Sequence, residues 1–166
     1  IFDLIIGNPP FGGSIAPALQ DKLDAIFGFR DGRKIKKETY AFFLVKGVDL
    51  LKPGGRLLFI CSDTVLTIPT MTGLRAWLQD RCTVDISRMP GSFSDTNQNV
   101  LLLSLRKRHT ERRRVTVFGN ELSLEAIEST PNASWRVSGE LARYFAGDRV
   151  GDKMVASSGM TIGDNS

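Results

Sequence analysis

The chain of 166 residues holds one histidine and two cysteines, and it has no apolar run of the roughly 18 residues that a bilayer crossing needs. Its first residues, Ile1-Phe2-Asp3-Leu4, carry neither a basic leader nor a cleavage site. Secretion and membrane insertion are therefore not expected. Cys61 sits in an apolar run and Cys82 far downstream, a pair that makes neither a disulfide framework nor a metal-ligand spacing, so a reducing, cytoplasmic setting and no metal are expected. No internal repeat and no low-complexity linker divides the chain, although composition shifts after Arg114. With 42% hydrophobic and 24% charged residues, the chain is a globular α/β or mixed protein, and disorder is excluded.

Positive charge is focused. Arg30, Arg33, Lys34, Lys36 and Lys37 against Asp31 give one stretch of +4, and Arg106, Lys107, Arg108, Arg112, Arg113 and Arg114 against Glu111 give another of +5. Since the whole chain carries +4, everything else sums to −5. Focused positive loops suit a polyanion such as nucleic acid, the alternative being two solvated loops.

Residues 2–7 form a short apolar run closed by Gly7 and by Asn8-Pro9-Pro10, which reads as a buried strand entering a stiff loop. A short helix is expected near 18–27. A longer one over 38–51 carries Tyr40, Phe43, Leu44, Val48 and Leu51 at helical spacing and is stopped by Lys52-Pro53-Gly54-Gly55. A second strand follows at 56–61. Met71, Leu74, Trp77 and Leu78 share one face of a helix over 70–81, then strands are expected at 83–88 and 99–105 as antiparallel neighbours. In the tail, 115–118 reads as a strand and 122–127 as a helical turn, with Trp135, Tyr144 and Phe145 as packing anchors. Strands alternating with helices predict a doubly wound, mostly parallel α/β sheet with an antiparallel last strand. Residues 1–114 are expected to form part of a catalytic domain and 115–166 an extension of it.

The chemistry concentrates in Asn8-Pro9-Pro10-Phe11. Two prolines remove two backbone donors and fix φ, so the chain leaving the strand is stiff and its carbonyls are free to accept. Loops at the carboxyl ends of strands are where open α/β sheets bind ligands. There the Asn8 side-chain oxygen, the Pro9 carbonyl and the Phe11 ring make a receptor for a planar group bearing an NH₂. The bland alternative is a turn that ends a strand.

The run Phe2-Asp3-Leu4-Ile5-Ile6-Gly7-Asn8-Pro9-Pro10-Phe11 resembles the catalytic motif of the S-adenosylmethionine-dependent amino-methyltransferases. Tyr40-Ala41-Phe42-Phe43 and Leu50-Leu51-Lys52-Pro53-Gly54-Gly55-Arg56-Leu57 resemble the next helix and strand of the gamma-type adenine DNA methyltransferases, in particular the Type IIG and Eco57I-like restriction-modification methylases. The resemblance implies a partial Rossmann-like methyltransferase fold and a reaction on double-stranded DNA. An adenine is flipped out of the duplex, and its exocyclic amine attacks the methyl of S-adenosylmethionine. It implies that Asn8 and the Pro9 carbonyl accept the amine hydrogens, that Asn8 also borders the cofactor, that Pro10 stiffens the loop, and that Phe11 stacks on the base. No strong general base is required, in keeping with a lone His109 among arginines. Phe93, in Pro90-Gly91-Ser92-Phe93, matches a second aromatic that contacts the extruded base, and Arg112, Arg113 and Arg114 are expected to meet DNA. Where these enzymes often have a Pro-Asn type turn, this chain reads Cys61-Ser62-Asp63, so Asp63 is expected to serve as a helix cap or turn residue.

The comparison implies an absence as well. Gly12-Gly13, Gly54-Gly55 and the segment 159–163 all fail the context of a strand, a glycine turn and an acidic partner about 20 residues on. The chain is therefore expected to be the second half of a methyltransferase domain, its partner being a missing N-terminal half that holds most of the cofactor. The segment 159–165 resembles the passage to a downstream target-recognition domain. Methyltransferases acting on ribosomal RNA or on protein glutamine share the Asn-Pro-Pro-aromatic motif, and a silent DNA-binding module would keep the fold. These remain the alternatives.

Overall fold

The computed structural model describes residues 1–10, 15–35, 38–89 and 100–136. Phe11, Phe93, Tyr144, Phe145 and the segment 159–165 lie outside the described residues. The elements are β1 (Phe2–Gly7), α1 (Pro17–Phe27), β2 (Phe29–Arg30), β3 (Arg33–Lys34), α2 (Thr39–Leu50), β4 (Leu51–Ser62), α3 (Thr72–Arg81), β5 (Cys82–Arg88), β6 (Val100–Lys107), β7 (Val115–Val117), β8 (Asn120–Leu122) and α4 (Leu124–Ser129). Short 3-10 turns fill Asp63–Leu66, Pro69–Met71 and Pro131–Ala133.

One six-stranded sheet, ordered β1-β4-β6-β5-β7-β8, organises the chain. β1, β4, β5 and β7 run one way, β6 and β8 the other. The expected antiparallel pair is β5 with β6, and β6 inserts between β4 and β5. β7 then adds in parallel outside β5, and Trp135 is fully buried in the common core, so the expected extension joins the sheet as far as it is described.

Alternation along the strands decides which face is covered. Leu57, Phe59 and Cys61 of β4, Leu101, Leu103 and Leu105 of β6, and Val84 and Ile86 of β5 are buried beneath α2 and α3. Their neighbours Arg56, Leu58, Ile60, Leu102, Ser104, Asp85 and Ser87 point to the other face and stay exposed or half-buried. Among the described residues this half of the sheet is wound on one face. α2 buries Tyr40, Ala41, Phe42, Leu44, Val45 and Val48. Phe43, expected on the buried stripe, is 49% exposed, because the helix packs on a face centred between Ala41 and Val45.

Lys52-Pro53-Gly54-Gly55 does end α2, but the chain continues as an irregular start of β4. The β1 register slips there, from Phe2 opposite Leu51 to Leu4 opposite Arg56. Gly54 takes φ +78°, the left-handed region that favours glycine.

Candidate active site

The carboxyl ends of β1 and β4 lie side by side. β1 closes with Gly7 opposite Phe59, three residues before β4 ends at Ser62, and Asn8-Pro9-Pro10 leave the sheet beside that last stretch. Gly7 is required by this approach, since a Cβ there would lie 2.8 Å from the Phe59 ring. Pro9 is buried, which anchors the loop, while Asn8 and Pro10 are exposed. Among the described residues neither the Asn8 side chain nor the Pro9 carbonyl makes a hydrogen bond. Two oxygens are thus held at a rim without a partner among the described residues, which in a buried site would be costly and at a ligand site is useful.

The other wall of the rim is the turn after β4. Ser62, and not Asp63, is its cap: the Ser62 Oγ accepts from the Thr64 backbone N–H at 3.3 Å and from the Thr64 hydroxyl at 3.0 Å. Asp63 is the first residue of the turn, as the sequence suggests. Tyr40, in the first turn of α2, brings its hydroxyl against Thr64 and Glu38, and burial holds that phenol neutral far above its usual range. Burial, with Asp63 nearby, likewise pushes the Cys61 thiol up to about 12, so it is no nucleophile. No group of three His, Cys, Asp or Glu side chains able to hold a metal occurs among the described residues. The rim offers acceptors and shape, with the Asp63 carboxylate in its far wall, a set suited to orienting an amine.

The two basic stretches have mostly internal roles. Lys107 Nζ donates to the carbonyls of Leu51 (2.7 Å), Val48 (2.9 Å) and Asp49 (3.4 Å), closing the C-terminal end of α2. Arg108 Nη1 donates to the carbonyls of Asp80 (2.9 Å) and Gln79 (3.5 Å) at the end of α3. Arg33 and Arg113 share the Asp80 carboxylate at 2.7 and 2.9 Å, so the two stretches converge on one acid. Arg112 pairs with Glu121 at 2.5 Å and Arg30 with Asp49 at 3.5 Å. Of the three arginines expected to meet DNA, Arg114 alone has no described ion pair.

Arg112, Arg113 and Arg114 precede β7, at the amino-terminal edge of the parallel strands, whereas Asn8 lies at the carboxyl-terminal edge. Four strand spacings across and about four residues along put them about 23 Å apart. The structure does not bring them onto one rim. It adds a residue that sequence reasoning passed over, Arg75 of α3, which is fully buried. The available signal was its place four after Met71 and three before Leu78, in the middle of an apolar stripe.

A family model, described as Eco57I restriction-modification methylase, matches residues 1–92. The chain belongs to this family. A Type II methyltransferase of Thermus thermophilus is 28% identical over 116 residues, which are 64% of this chain and 26% of that protein. The chain therefore spans about a quarter of this relative's length. Among solved structures, a protein described as a class I S-adenosylmethionine-dependent methyltransferase from Listeria monocytogenes superimposes with TM-score 0.55 at 17% identity, over 71% of this chain and 37% of that one. A nuclease-deletion mutant of the Type ISP restriction-modification enzyme LlaGI, in complex with a DNA substrate mimic, gives TM-score 0.51 at 15% identity, over 68% and 14%. These two likenesses establish the fold, that of the S-adenosylmethionine-dependent methyltransferases. No helix among the described residues is long and apolar enough to cross a membrane.

Proposed function

We propose that the whole protein is a site-specific DNA methyltransferase of a restriction-modification system, acting on the N6 amine of a flipped-out adenine. The observation that carries the reading is the pair of acceptors, Asn8 Oδ1 and the Pro9 carbonyl, without a partner among the described residues and held on a proline-stiffened rim at the carboxyl end of β1. Family membership supports it, and so does the DNA-bound state of LlaGI.

The chain's own residues do positioning work. Asn8 Oδ1 and the Pro9 carbonyl accept the two amine hydrogens and turn the nitrogen lone pair toward the methyl donor, and acceptors fixed in advance need no reorganisation as positive charge grows on nitrogen. Buried Pro9 and adjacent Pro10 keep the two oxygens at a fixed separation. Phe11 and Phe93 are assigned the two faces of the base.

S-adenosylmethionine, the cofactor of this fold, supplies the methyl group when bound. Of its site, the described residues contribute only the border at Asn8, because no described glycine turn is followed by a carboxylate placed to hold a ribose. The reading therefore assigns the remainder to an N-terminal half that pairs with the outer edge of β1. That edge suits it, since among the described residues β1 pairs with β4 alone, and Phe2, Leu4 and Ile6, on the uncovered face of the sheet, are 52%, 52% and 69% exposed. Arg112, Arg113 and Arg114, about 23 Å from Asn8 by strand spacing, are assigned to the flanking duplex and not to the base. A downstream target-recognition domain completes the proposed enzyme.

The test offers methyl-labelled cofactor to the full-length protein with duplex DNA, ribosomal RNA or a glutamine peptide. Label on DNA adenine, lost in Asn8→Ala while cofactor affinity stays within about threefold, is expected. Label on RNA or peptide and none on DNA would overturn the reading.

A further inference from the structure

The guanidinium of Arg75 has five N–H groups, and all five are used. Nε donates to the Ala133 carbonyl at 3.0 Å, Nη1 to the carbonyls of Val65 and Ile68 at 3.0 Å each, and Nη2 to the Asn132 carbonyl at 2.5 Å and to the Thr72 hydroxyl at 3.2 Å. No described carboxylate pairs with it. A buried cation satisfied only by neutral oxygens is an expensive way to fill space, since an apolar side chain would avoid the desolvation.

What Arg75 gains is a junction between two segments remote in sequence. Val65 and Ile68 belong to the turn after β4, one wall of the rim beside Asn8 and Pro9. Asn132 and Ala133 belong to the segment that leads to the buried Trp135. That segment is strained: Asn132 and Ala133 take φ +60° and +46°, consecutive left-handed conformations in which a Cβ is unfavourable. The carbonyls of these two strained residues are two of the four that Arg75 binds. Three further bonds run parallel to it. The Trp135 N–H and Ser134 hydroxyl both donate to the Leu66 carbonyl, at 2.8 and 3.2 Å, and the Thr72 hydroxyl shares its one proton between the carbonyls of Pro69 at 2.7 Å and Asn132 at 3.0 Å.

We propose that Arg75 is a positioning residue through which the segment 130–135 sets the rim turn 63–71, so that displacement of the chain downstream of Trp135 is felt beside Asn8 and Pro9. The proposal rests on the methyltransferase reading for its catalytic consequence, though not for the coupling itself. Lys in place of Arg75 has three donors on a flexible stem and cannot span both segments.

The experiment compares the full-length protein with its Arg75→Lys and Thr72→Val variants by hydrogen exchange, cofactor affinity and single-turnover methyl transfer. In Arg75→Lys, amides of both 63–71 and 130–135 should exchange about tenfold faster or more, while those of 57–61 and 101–105 keep their protection. Transfer should fall at least about tenfold with cofactor affinity within about twofold, which general loosening would not produce. Thr72→Val, which removes the hydroxyl contacts to Arg75, Asn132 and Pro69 and leaves four of the five Arg75 bonds, should move the same readouts less, and it decides the matter if Arg75→Lys unfolds the core. Exchange that rises in only one segment, or in neither, overturns the proposal; so does unchanged transfer with both segments loosened. A wild-type protein that methylates nothing removes the methyltransferase reading and leaves the exchange comparison to decide whether the segments are coupled.

Discussion

Replacing Lys107 by Met tests whether the second basic stretch serves the fold. α2 ends at Leu50 with no basic residue in its own last turn, so its free carbonyls are met from β6, by the Lys107 ammonium. Met keeps most of the apolar stem and removes the charge and the donors. A hydrogen bond to a charged group contributes about 1.5–3 kcal/mol, and a cation at a helix C-terminus adds about 0.3–1 kcal/mol. Lys107 is half-buried, so water replaces part of what is lost and the expected net cost is about 2 kcal/mol. At about 2–4 °C per kcal/mol for a domain of this size, melting should fall by about 4–8 °C. Arg112→Met is the control, because its pair with Glu121 joins side chains 81% and 47% exposed. Such a pair is worth about 0.5 kcal/mol or less. Urea midpoints measured at unchanged m-value give both numbers. A Lys107→Met cost no larger than that of Arg112→Met would refute the capping argument and return the charge of this stretch to a polyanion.

Two further predictions follow the same geometry. Replacing Arg112, Arg113 and Arg114 together by Ala should flatten the salt dependence of DNA binding by about one unit and not three, since two of them are already paired with Glu121 and Asp80; a change near three units in log K against log salt would show that those pairs open on DNA. The thiols of Cys61 and Cys82 are both pushed up to about 12, chiefly by burial, so the fold holds them neutral after an unfolded chain would ionise them. Their contribution to stability is therefore intact below about pH 8.5, the ordinary thiol value, and is lost as pH rises from there through 12. Urea midpoints that fall across this range in the wild type, and fall less in Cys61→Ala, are expected; a Cys61→Ala profile parallel to the wild type would refute the assignment.

Much of the fold was legible because its signals are local. β1 spans Phe2–Gly7, as the apolar run before Asn8-Pro9-Pro10 suggests, but it is not the buried strand expected, since Phe2, Leu4 and Ile6 are exposed on the uncovered face; α2, α3, β5 and β6 begin and end within about three residues of their periodic patterns. The β2–β3 hairpin went unread, although Asp31-Gly32 between Phe29-Arg30 and Arg33-Lys34 is the dipeptide that a tight hairpin favours. Charge misled in the second stretch, because Lys107 and Arg108 find their partners at the ends of α2 and α3, about 28 to 59 residues away, and no window along the chain contains both ends of such a bond. The insertion of β6 between β4 and β5 is likewise long-range. The motif at Asn8 was legible for the opposite reason: its stiffness and its acceptors are properties of four consecutive residues, and only their place at a strand end needed the sheet.

That place depends on an incomplete surface. β1 pairs with β4 along one edge only among the described residues, and its side chains opposite the covered face remain half or more exposed. Covering Leu4 and Ile6, with what stays open of Leu58, Ile60 and Leu102, is worth about 3–5 kcal/mol at about 0.8 kcal/mol per buried methylene. This is a large share of the 5–15 kcal/mol typical of a whole domain, so the proposed N-terminal half would contribute rigidity to β1 as well as a cofactor site. In the proposed reaction the two oxygens at Asn8 and Pro9 are useful only if their separation and direction are fixed before the base arrives. One of their supports is internal, the buried ring of Pro9. Arg75 reaches the rim from the side of α3, and the outer edge of β1 must be reached from beyond it. On these two proposals the rim is a junction where three parts of the whole protein meet, and its geometry should be the last feature to form and the first to loosen.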